Sequence, residues 1–174
     1  MTPFRIAPPS ALDRAGFLAR YGGVYEASPW IAEAVWYRGA AADHLEPLAD
    51  AMAAEVEAAG RDAQLALLRA HPDLAGKLAV AGALTRASTE EQAGAGLENC
   101  TPEQFAAFQR LNAAYVARCG FPFILAVRGR TRDEILAIFE RRAKADPEAE
   151  FREALDQVHR IARLRLAALA AEGA

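Results

Sequence analysis

Two cysteines in 174 residues, Cys100 and Cys119, are too few and too isolated for a disulfide framework or a thiolate metal site. Histidine is nearly as scarce. His44, His71 and His159 are widely spaced and form no His-Glu-x-x-His pair, so a histidine-held metal has no positive support. A Gly-rich phosphate loop and a Gly-x-Ser-x-Gly elbow are also missing, which leaves nucleotide and serine-hydrolase chemistry without a basis. Neither sign of charge dominates. The 20 Lys and Arg are scattered among 23 Asp and Glu, for a net charge of −3, and they make no basic stripe for nucleic acid. The start, Met1 to Pro9, carries one Arg and no long apolar stretch, and Glu172-Gly173-Ala174 is not a Ser-Lys-Leu type tail. The expectation is a cytoplasmic protein with no membrane and no nucleic-acid partner.

What the sequence has in abundance is alanine, within a hydrophobic content of 53%, and alanine favours helices over sheets. The length fits one compact domain, residues 1–174, with no internal repeat or long linker. Helix punctuation recurs throughout and predicts an all-α fold. Ser10 is placed to cap a first helix ending near Tyr21, with Gly22-Gly23 as a left-handed stop. Ser28-Pro29 opens a second helix through Trp36, whose Trp30 and Trp36 read as core anchors. A third runs from about Ala42 to Ala59, and a fourth from Asp62 into His71-Pro72, where the proline disfavours helical geometry at His71. Ser88 heads a short helix, and Thr101-Pro102-Glu103-Gln104 and Thr131 to Glu134 are capping boxes. A long final helix from Asp146-Pro147 carries Phe151, Leu155, Val158 and Ala162 on one face and belongs in the core. The run Phe121 to Val127 is too short to span a membrane, and periodicity leaves open whether it is a buried extended segment or a helical turn.

Three places could carry chemistry. His71 follows Leu67 by four residues and Leu68 by three, so an ionisable ring shares a face with core leucines. It is either a packed helix-terminal histidine or an acid/base whose intrinsic pKa of about 6.5 suits proton transfer at neutral pH. Arg165 continues the apolar face of the last helix, whereas Arg160 and Arg163 point elsewhere. An inward guanidinium needs an anion: a buried Glu, or a substrate carboxylate or ureido oxygen. Ser88-Thr89-Glu90-Glu91 reads first as a capping box, but the same helix N-terminus, with Gln92 beside Glu91, also offers donors to an anionic or carbonyl-rich ligand.

Taken in order, several blocks resemble the OHCU (2-oxo-4-hydroxy-4-carboxy-5-ureidoimidazoline) decarboxylase family across nearly the whole chain. They are Tyr21-Gly22-Gly23-Val24-Tyr25-Glu26 with Ser28-Pro29-Trp30, His71-Pro72-Asp73-Leu74, Ser88 to Gln92 with Ala95-Gly96-Leu97, Leu111-Asn112 and Tyr115, Gly120 to Ile124, Val127-Arg128-Gly129, and Ile161 with Leu164-Arg165-Leu166. Ala27 departs from the pattern, since many members have a polar residue there, often His. The resemblance implies loss of CO2 from C4 of OHCU and protonation at C5 to give (S)-allantoin in urate degradation. It makes His71 the catalytic acid/base, with Pro72, Ser88, Glu91, Gln92, Phe121, Phe123, Ile124 and Arg165 binding substrate. It also implies a homodimer and no cofactor or metal, because the substrate's own carbon–nitrogen double bond is the electron sink. Two alternatives stand beside it: a cofactor-free lyase or isomerase acting on another ureido or hydroxy acid, and a helical binding module in which His71 and Arg165 only pair with core carboxylates.

Overall fold

The computed structural model describes residues 1–74, 88–90, 95, 97 and 100–173. The fold is all-α. The described α-helices are α1 (Arg14–Tyr21), α2 (Trp30–Tyr37), α3 (Leu45–Ala58), α4 (Gly60–Arg69), α5 (Pro102–Cys119), α6 (Arg132–Arg142) and α7 (Pro147–Ala171), with a short 3-10 turn at Pro9–Ala11. Among the described residues there is no strand, only an isolated antiparallel bridge between Pro3 and His44. No helix among them is long and apolar enough to cross a membrane. The chain divides into two compact units, Met1–Ala70 with Val158–Ala174, and His71–Gln157.

In the first unit α1 packs on α2, α2 on α3 and α3 on α4. Their apolar faces bury Phe17, Tyr21, Ile31, Val35, Leu48, Met52, Val56, Leu67 and Leu68, and the last part of α7 buries Ala162 and Leu166. Phe17 sits against Tyr21 and Trp36 with ring centroids 5.1 and 5.3 Å apart. Trp30 and Trp36 themselves are only half-buried.

Two helix starts differ from expectation for one reason. Ser10 does not cap α1. Its amide and hydroxyl bind the Asp43 carboxylate at 2.8 and 2.6 Å, and Asp13 takes over the cap by accepting from the Gly16 amide at 2.8 Å. The partner segment around Asp43 is drawn out of helix α3 in turn. The Phe4 amide donates to the Asp43 carbonyl at 3.0 Å and the Leu45 amide to Thr2 at 2.9 Å, so α3 begins at Leu45 rather than near Ala42. Gly22 also departs from the sequence reading: it closes α1 with φ −65°, in right-handed geometry. Glycine is required there by close approach, since a Cβ would lie 2.4 Å from the Leu18 carbonyl oxygen.

The second unit follows its local signals closely. Thr101 with Gln104 and Thr131 with Glu134 form reciprocal capping boxes, and α5 stops at Gly120 with φ +79°. Asp146 accepts from the Glu148 and Ala149 amides at 2.9 and 3.1 Å where α7 starts. Phe151, Leu155, Val158 and Ala162 of that helix are all buried. Ser88 is buried in a helical stretch, 88–90, while Glu91 and Gln92, and with them the proposed capping box, lie outside the described residues.

The Thr131 cap satisfies two otherwise orphaned groups at the start of α6. Thr131→Ala is expected to lower stability by about 1 kcal/mol, visible as a lower urea midpoint with an unchanged slope.

Candidate active site

In the first unit the candidate residues lie on the loop between α1 and α2, residues 22–29, and on the last part of α7. Arg165, 9% exposed, sends Nη2 to Glu26 Oε2 at 2.9 Å, and Glu26 is 3% exposed. Nη1 of the same guanidinium lies 3.4 Å from the Val24 carbonyl and 3.5 Å from that of Gly23. One turn and a half earlier on α7, His159 Nδ1 is hydrogen-bonded to the Tyr25 hydroxyl at 2.8 Å. Its Nε2 contacts Glu57 Oε1 at 2.8 Å. A carboxylate can only accept, so Nε2 carries a hydrogen toward Glu57. Burial pushes the Tyr25 phenol well above its ordinary range, which keeps it a donor. Ala27, the residue that departs from the family pattern, is exposed and left-handed at φ +44°. Ser28 next to it is buried.

In the second unit His71 is 8% exposed and occupies a bend immediately after the end of α4. The break is the one that Pro72 imposes on its predecessor. Pro72 and Asp73 are half-buried, and burial pushes the Asp73 carboxyl up. The carbonyl of Leu74 accepts from Asn112 Nδ2 of α5 at 2.9 Å, which ties the His71 to Leu74 turn to a helix.

Phe121, Phe123 and Ile124 lie together in a segment, residues 121–127, that is buried at every position and is neither helix nor strand. Part of its polar backbone is met by side chains. Arg142 Nη1 donates to the Ile124 carbonyl at 2.9 Å, and Gln157 Oε1 accepts from the Ala126 amide at 3.0 Å. Arg142 is itself held by Glu150 at 2.9 to 3.2 Å and lies 4.6 Å over the centre of the Phe123 ring. Tyr115 donates to the same carboxylate at 2.7 Å, and burial together with Glu150 pushes its phenol far up. Phe123 stacks on Phe139 with centroids 3.8 Å apart.

The structure therefore places every described candidate at a buried or half-buried position. It gives Arg165 a partner, Glu26, that sequence reasoning named only as part of a motif. The Arg142, Glu150, Tyr115 and Gln157 cluster was missed as well, and so was the His159 to Tyr25 link. An inward arginine on α7 was the one signal that could have led to Glu26. Among the described residues no group of three or more His, Cys, Asp or Glu is arranged to hold a metal ion.

These features define an all-α protein with ionisable side chains held in its interior by specific partners. Comparison narrows the class. The family model described as OHCU decarboxylase matches residues 10–167, and the chain belongs to that family. It is 45% identical over 156 residues to the 2-oxo-4-hydroxy-4-carboxy-5-ureidoimidazoline decarboxylase of Haloferax volcanii, covering 90% of each chain. It is 39% identical over 157 residues to the enzyme of the same name from Mus musculus, covering 90% of this chain and 88% of that one. Among solved structures it is similar to (S)-allantoin synthase, with TM-score 0.73 and 36% identity over 91% of this chain, and it spans 51% of that longer chain. A crystal structure of OHCU decarboxylase in the presence of (S)-allantoin shares the fold at TM-score 0.68 and 20% identity.

Two measurements test this geometry. Arg142→Met leaves Glu150 buried without its cation and is expected to destabilise the protein by roughly 3–5 kcal/mol in denaturant unfolding. Tyr25 and Tyr115 have folded-state pKa values raised above the ordinary value of about 10. The stability they contribute is complete below pH ~10 and is lost as pH climbs past it. In an alkaline titration followed at 295 nm, these two phenols should ionise only together with loss of the helical circular dichroism signal.

Proposed function

We propose that this chain decarboxylates OHCU to (S)-allantoin with His71 as the acid/base. The observation that carries this reading is a buried imidazole, 8% exposed, in the break that His71-Pro72 makes, within a chain matched by the family over residues 10–167. A proton-transfer group needs such a position, shielded from bulk water and fixed by its backbone.

The chemistry asks little of a protein. The bond from C4 to the carboxylate breaks, and its electron pair forms a C4–C5 double bond as the adjacent carbon–nitrogen pair moves onto the ring nitrogen, which takes up a proton. Loss of the C4 hydroxyl proton to His71 and gain of a proton at C5 then give the ring carbonyl and the C–H of allantoin. One carboxylate and one proton become CO2 and a new C–H bond. The substrate supplies the electron sink, so pyridoxal phosphate, thiamine or a metal is not needed.

The other roles are assigned residue by residue from the motifs. Arg165 binds a substrate oxygen, and Glu91 and Gln92 hold ring or ureido groups. Pro72, Ser88, Phe121, Phe123 and Ile124 form walls that limit solvation of the carboxylate and confine reprotonation to one face. The clamping of residues 121–127 by Arg142 and Gln157 supports a rigid wall. The reading also includes a cytoplasmic homodimer, supported by the apolar content of the helices and by the family resemblance.

OHCU generated in place from urate by urate oxidase and hydroxyisourate hydrolase should yield (S)-allantoin rapidly, followed by its circular dichroism. His71→Asn should slow that formation by roughly 10²–10⁴-fold with the helical signal intact. Near-normal decarboxylation by this variant would remove His71 from the central role. A slow racemic product with the unaltered protein would point to another substrate.

A further inference from the structure

We propose that Glu26 makes Arg165 selective for an uncharged oxygen, a ring or ureido carbonyl, and turns it away from the carboxylate that is to leave. The inference rests on the reading of Arg165 as a substrate-binding residue and adds what that residue recognises.

An arginine placed to capture a carboxylate works best as an unbalanced cation. Arg165 is balanced. Its Nη2 lies 2.9 Å from Glu26 Oε2, and the two side chains are 9% and 3% exposed, so the pair is shielded from solvent. The Nη1 end faces the oxygens of Val24 and Gly23 at 3.4 and 3.5 Å, which add negative partial charge on the same side. Glu26 is held in place by what surrounds it in sequence. Tyr25 before it is anchored to His159 at 2.8 Å, and Ser28 after the left-handed Ala27 is buried. Glu26 is itself buried, so its carboxylate has no solvent to turn into and stays beside the cation.

An anion reaching this guanidinium meets attraction from Arg165 and repulsion from Glu26 a few ångströms behind it, at low effective dielectric where both count. A neutral carbonyl loses far less hydration on entry and still receives charge-assisted N–H bonds. The difference suits the reaction. Pairing the substrate carboxylate with a bare cation would stabilise the ground state more than the transition state, where that charge is leaving. A donor on a ring or ureido carbonyl meets charge as it spreads into the ring, and stabilises the transition state instead.

The test compares two probes by titration calorimetry: (S)-allantoin, which is neutral, and allantoate, its ring-opened carboxylate. The unaltered protein is expected to bind (S)-allantoin more tightly than allantoate. Glu26→Gln, with helical content checked by circular dichroism, should shift the affinity ratio toward allantoate by roughly tenfold, the effect of unmasking one charge. It should also slow turnover, and Glu26→Asp should keep the original ratio. An unmoved ratio in a folded Glu26→Gln protein overturns the proposal. So does tighter binding of allantoate by the unaltered protein, a measurement that stands even if the variant does not fold. Arg165→Met separates the two layers. If it changes neither affinity, the binding role of Arg165 fails and the inference falls with it. If it weakens (S)-allantoin while Glu26→Gln leaves the ratio unchanged, only the inference about Glu26 fails.

Discussion

A backbone that is buried without being helix or strand has no ladder of its own to satisfy it, and in the second unit side chains meet much of that demand for residues 121–127. Arg142 supplies the donor for Ile124, and Gln157 supplies the acceptor for Ala126. A guanidinium with 6% exposure needs a counter-charge, so Glu150 is buried with it and Tyr115 donates to the same carboxylate. Helices α5, α6 and α7 each contribute one or more members of the network. Tyr115 of α5 and Phe139 of α6 pack their rings against each other and against Phe123 of the segment. Irregular chain is costly to bury, and spending three helices on holding it fits a segment whose shape, rather than its regularity, is what matters.

The first unit solves a related problem with fewer parts. Residues 22–29 join two helices, and α7 fixes them through His159 at Tyr25 and Arg165 at Glu26 and the carbonyls beside it. Glu57 of α3 holds the other ring nitrogen of His159 at 2.8 Å, which fixes the orientation of the ring toward Tyr25. The polar groups in this region do two things together: they bond the buried groups of the turn, and they surround the Arg165 guanidinium with a carboxylate and two carbonyls.

Helix identity was legible wherever the signal was local. The Thr101 and Thr131 boxes and the Gly120 stop are contacts between residues at most four apart, so the sequence states them directly. The His71-Pro72 break is of the same kind. Where a residue had a local and a distant option, the distant one won unseen: Ser10 and Asp43 bind each other across 33 positions, and both helix starts moved. Residues 121–127 were undecidable because an unbroken apolar run has no period. Arg142 and Glu150 carried no sequence signal, lying among other charged residues on either side of Asp146-Pro147. The candidate site was legible only as a set of motifs. Its electrostatics were not, because the pairing of Arg165 with Glu26 spans 139 positions.

His159 and Arg165 reach neighbouring residues of one short loop from one uninterrupted helix. An α-helix advances about 100° per residue, so inserting or deleting a single residue between them would turn one grip away from the loop while leaving the other in place. Substitutions along this stretch test individual side chains, whereas a change in its length tests the whole arrangement at once. The interval from His159 to Arg165 is thus a ruler: its exposed residues, Arg160 and Arg163, make neither grip, and its length sets both.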